Sequence, residues 1–100
     1  MRSLMIVTDD LVLCRSDAGD GGWSLHAPGS TDEDIASGDA PYLVTGEASA
    51  ANGAWDRPTQ ADYRAAAERL APWAAEIIEV DGGYMAFESS RDAATWQAQA

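Results

Sequence analysis

The chain has 100 residues, with 17 acids against 6 bases, and a formal charge of −11. That length supports one domain, residues 1–100, whose core removes roughly 60–65% of the unfolded chain's surface from water. Cys14 is the only cysteine, which excludes internal disulfides and Cys-based zinc sites; no apolar run approaches the roughly 18 residues of a membrane span, and the opening residues do not spell an export signal.

Residues 3–8 form a short apolar run with β-branched members and read as a strand. Asp9 and Asp10 read as a turn, and residues 11–16 as a second strand. Residues 17–22, dense in Gly and Asp, read as a further turn, and residues 23–27 alternate as a third strand. These three strands are expected to form one meander. Pro28 and Gly29 break the pattern. Ser30 and Glu33 stand at capping-box spacing, which predicts one helical turn stopped at Gly38. Residues 41–45 read as a fourth strand, and 46–57 as a loop of small residues carrying Trp55.

The best helix signal opens at Pro58 and Thr59, with Thr59 as cap and Asp62 in the first turn. Tyr63, Ala66, Ala67, Leu70, Trp73 and Ala74 recur at three- and four-residue steps and make one apolar face. Pro72 must kink that helix or start a new turn. Residues 76–80 and 84–88 flank Asp81, Gly82 and Gly83, a hairpin spelling. Ser89 and Ser90 then cap a terminal helix running from 91 to about 97, with Trp96 packing back on the sheet. The resulting fold class is α+β: a mainly antiparallel sheet of five or six strands with one main helix and a short C-terminal helix.

Chemistry is sparse in this pattern. Cys14 and His26, the only residues of their kinds, could form a thiolate–imidazole pair only if the strand register brings them together. The register that best separates apolar from polar groups pairs Cys14 with Leu25. It turns Val12, Cys14, Trp23, Leu25 and Ala27 into the core and leaves His26 outside with Arg15 and Leu13. That reading makes Cys14 a buried, inert thiol. Asp17 and Asp20 invite a calcium reading, but the loop departs from the EF-hand pattern, with Pro28 where its final Glu belongs. Asp32, Glu33 and Asp34 fit a helix start that favours acids near its positive end. No phosphate loop or catalytic constellation is present, so neither an enzyme nor a cofactor is expected.

The charge distribution is the informative feature. Residues 1–56 hold ten acids and two arginines, and residues 57–100 hold seven acids and four arginines. Between Arg15 and Arg57 no base occurs. Two ordinary causes, a GC-rich genome or adaptation to salt, produce such acidity without a partner. The expected role is nevertheless a small cytoplasmic inhibitor that binds a basic protein or nucleoprotein complex. Its carboxylates would stand in for nucleic-acid phosphates in a cationic groove. This is the physical logic of the DNA-mimic inhibitors of phages and mobile elements, anti-CRISPR proteins among them. The expected contact residues are Asp17, Asp20, Asp32, Glu33, Asp34 and Asp39, with Trp55 as an apolar anchor. Direct nucleic-acid or membrane binding is not expected. The competing reading is an assembly subunit, a homo-oligomer whose acidity reflects genome or habitat.

Overall fold

A computed structural model describes residues 2–15, 22–47 and 57–99. The chain runs β1 (Ser3–Val7), a 3₁₀ turn (Thr8–Asp10), β2 (Val12–Arg15), β3 (Trp23–His26), α1 (Asp32–Ser37), β4 (Tyr42–Gly46), α2 (Gln60–Leu70), β5 (Glu76–Val80), β6 (Gly83–Phe87) and α3 (Ser90–Ala98). Among the described residues the fold is α+β with six strands, the short α1, a main helix and a short C-terminal helix, and every strand pairing is antiparallel.

The strands divide into two three-stranded sheets, one ordered β1-β6-β5 and the other β2-β3-β4. The expected meander of the first three strands is corrected here. β1 pairs with β6 across most of the chain, with Met5 opposite Met85 and Ile6 opposite Tyr84. The Asp9–Asp10 segment does not reverse the chain as a hairpin. It winds as a 3₁₀ turn, and the Thr8 amide and hydroxyl both donate to the Gly82 carbonyl. The chain thereby leaves the first sheet, and Leu11 enters the core of the second.

α2 joins the sheets. Its Thr59 cap closes a reciprocal box with Asp62, as the sequence spelled. Ala66 and Ala67 are fully buried on adjacent positions. Ala67 packs on the β1-β6-β5 sheet with Ile6, Tyr84 and Ala86, and Ala66 on the other with Leu11, Trp23, Leu25 and Leu43. Tyr63 and Leu70 touch both clusters. Small residues at the centre let two sheets approach one helix, and larger ones at either end fill the wedge between them. The helix ends at Leu70, and Pro72 lies in the turn beyond it. α3, capped by Ser89, lays Trp96 against Phe87 with ring centroids 5.5 Å apart.

α1 starts one residue later than its spelling implied. Thr31 is the cap, and its partner in the box is Asp34, not Glu33. Gly38 ends the helix in the left-handed conformation, at φ 82°. No α1 residue is buried.

Candidate partner-binding surface

The structure gathers four of the expected contact residues on one short segment. Asp32 and Glu33 project from the first turn of α1 and are exposed; Asp39 is exposed just past its end. Asp34 is half-buried, and one of its carboxylate oxygens accepts the Thr31 amide. Asp39 accepts the Ser37 hydroxyl at 3.0 Å. Asp32, Glu33 and Asp39 are thus the members turned to water, whereas Asp34 holds the helix start. Asp17, Asp20 and Trp55 lie outside the described residues.

A second acidic region was not anticipated as a site. The 3₁₀ turn and the β5–β6 hairpin border an open cleft of about 570 Å³, lined by Asp9, Glu79 and Asp81 together with Gln60, Tyr63 and Tyr84. No base lines it. Tyr84 is buried at its floor and donates its hydroxyl to the Gln60 carbonyl and side-chain oxygens, at 3.1 and 2.9 Å. Burial pushes the Tyr84 phenol above its ordinary range; Glu79 adds to the shift and Arg64 opposes it. The clue in the sequence was the pair of acids on each side of two turns, Asp9–Asp10 and Glu79/Asp81. Only the β1–β6 pairing brings those turns together.

The arginines do little to neutralise these acids. Among the described residues one ion pair forms, between Arg64 and Glu68 at 3.5 Å, and both partners are exposed. Arg2 instead lies 4.5 Å over the Trp73 ring, and Arg69 donates to the Tyr42 carbonyl at 2.9 Å.

The register of β2 and β3 keeps His26 on the face opposite Trp23 and Leu25, as expected, but overturns the placement of Cys14 and Val12, which join it there in place of Leu13 and Arg15. Leu13 lies opposite Leu25, Cys14 opposite Ser24 and Val12 opposite His26. Val12, Cys14, Ser24 and His26 therefore share the face turned away from α2. The pairing sets the leucines of the two strands together. β2, at the sheet edge, leaves Leu13 39% exposed as a consequence. Cys14 is half-buried rather than sealed in the core. His26, on the same face, is nevertheless buried and has the Tyr42 ring 5.1 Å away. Its Nδ1–H donates to the Pro41 carbonyl at 3.1 Å, since a carbonyl only accepts. In the neutral ring, Nε2 then accepts from the Ser24 hydroxyl at 3.0 Å.

Both imidazole nitrogens are thus engaged away from the thiol. Burial pushes the Cys14 thiol above its ordinary value, and the Asp32 carboxylate pushes it further. A raised thiol pKa is the opposite of what a thiolate nucleophile requires. Among the described residues no group of three His, Cys, Asp or Glu side chains is arranged to hold a metal ion, and no helix is long and apolar enough to cross a membrane. Comparison with known protein families, curated proteins and solved structures finds no match for this chain.

Proposed function

We propose that the chain acts by binding, as a small inhibitor that presents uncompensated carboxylates to a basic surface of a protein or nucleoprotein complex. The supporting observation is the exposure of its acids: Asp9, Asp32, Glu33, Asp39, Glu79 and Asp81 are exposed, while Arg2 lies over an aromatic ring, Arg69 donates to a carbonyl and Arg64 pairs with Glu68. Such a surface raises the rate of encounter with a cationic groove and competes there with phosphates. α1 fits this role because it buries nothing, so its acid content is not dictated by the core.

The test is competition. The protein is titrated into complexes of basic nucleic-acid-binding proteins with labelled DNA, at low and at high salt. Displacement at low salt that fades at high salt is the expected result. Neutralising Asp32, Glu33 and Asp39 to their amides weakens it, and neutralising Asp9, Glu79 and Asp81 shows which acidic region carries more of the contact. Displacement indifferent to salt, or none with any member of the panel, ends this reading.

A further inference from the structure

β1 and β6 carry apolar residues on both faces of the β1-β6-β5 sheet. Leu4, Met5, Ile6 and Val7 follow one another in β1, and Tyr84 through Phe87 in β6. Such runs belong to strands covered on two sides. Here α2 covers one face, through Ile6, Tyr84 and Ala86. On the other, α3 covers the end at Phe87. The pairing places Met5, Met85 and Ile78 in one row across that second face, and Val7 and Val80 in the next row, on either side of Gly83. Met5 is 44% exposed, and Met85, Ile78, Val7 and Val80 are half-buried. This stretch is an apolar surface without a cover of its own among the described elements. Methionines suit such a surface, because their flexible thioethers adapt to different partners.

Charge selects the occupant. The three strands carry no arginine. At the open end of the row stand the exposed Asp9 and Asp10, which follow β1, and Asp81 in the hairpin turn. Glu79 lies opposite Tyr84 on the α2 face, so the acids that border the apolar rows are Asp9, Asp10 and Asp81, beyond the Val7–Gly83–Val80 row at the end of the sheet. A second copy of a chain with net charge −11 would bring like charge to that border. We infer that Met5, Met85 and Ile78 anchor the apolar side of an amphipathic, basic segment of a partner protein, whose cationic side chains reach Asp9, Asp10 and Asp81 at the end of the sheet. This deepens the proposed function and rests on it.

The probe is a short synthetic peptide of alternating leucine and lysine, with a serine–lysine peptide of equal length as control. The protein carries carbon-13-labelled methionine methyls. The expected result is at least about tenfold tighter binding of the leucine–lysine peptide, as burial of a few apolar groups provides. The Met5 and Met85 methyl resonances shift along the same titration curve. The double variant Met5→Ser, Ile78→Ser abolishes the preference but keeps the salt-sensitive affinity for the control. Equal affinity for both peptides with unmoved methyls overturns the anchor and leaves the charge-based function standing. Binding of neither peptide removes both. Sedimentation equilibrium that finds a dimer, made monomeric by the double variant, also overturns the proposal, because the occupant is then a second copy.

Discussion

Both sheets are antiparallel, three-stranded and rest one face on α2, yet their opposite faces differ in kind. The outer face of β1-β6-β5 carries Met5, Met85, Ile78, Val7 and Val80. The outer face of β2-β3-β4 carries Val12, Cys14, Ser24 and His26, with Tyr42 beside His26 and 62% exposed, and joins two of its side chains through the Ser24–His26–Pro41 chain of hydrogen bonds. A face that pairs polar groups gains less from an added surface than one whose central rows are all apolar. Within one small molecule, the comparison separates a region built for self-sufficiency from one suited to association.

The glycines give the sharpest contrast in stability. A Cβ at Gly83 would collide with the Ile6 carbonyl oxygen, which is backbone and cannot step aside without shifting β1 from β6. Gly83→Ala is expected to lose about 3 kcal/mol in denaturant unfolding. A Cβ at Gly46 would meet the Trp23 indole instead, and a ring can tilt at some cost to the core. Gly46→Ala is expected to lose less, about 2 kcal/mol. A larger loss at Gly46 would break the expectation that a clash with backbone costs more than one with a side chain.

Polar deletions come next. Ser24→Ala removes the partner of a buried imidazole nitrogen and is expected to cost about 1–2 kcal/mol. Tyr84→Phe removes a hydroxyl that donates to two oxygens of Gln60 and is expected to cost about 1 kcal/mol. It also alters the alkaline limb of stability. Because the folded phenol titrates above its unfolded value, its contribution is fully present below the ordinary tyrosine range and lost as pH rises through the folded pKa. Tyr84→Phe should therefore flatten the alkaline decline, read as midpoint against pH.

The smallest effect concerns Cys14. Its raised pKa makes alkylation slow at neutral pH and faster as pH rises. Burial is the larger cause of the shift, so Asp32→Asn removes only the lesser one. A slight acceleration is expected, followed as the rate of iodoacetamide labelling. No change at all would place the α1 carboxylate out of range of the thiol.

The hairpin around Asp81 and Gly82, the Thr59 cap and the Ser89 cap were readable in the sequence because each depends on residues a few positions apart. So was the apolar face of α2, whose three- and four-residue spacing survives in the burial of Ala66 and Ala67. The position of the α1 cap was missed by one residue, since Ser30 and Thr31 each have an acid three places on and local chemistry does not choose between them. The acidic segment of α1 was legible as composition. The cleft at the hairpin was not, because Asp9 and Asp81 become neighbours only through strands at opposite ends of the chain.

By itself the sequence determined the kinds and order of most elements, the stop of α1 at Gly38 and the surplus of negative charge, because periodicity, turn chemistry and ionisation act over short range or over the whole chain alike. The tertiary structure decided the division into two sheets, the β2–β3 register that turns Cys14 and His26 to the same face, and which apolar side chains of β1, β5 and β6 stay uncovered. Those outcomes depend on which distant strands pair. A strand with apolar residues on both faces does not record which of its faces a helix will cover.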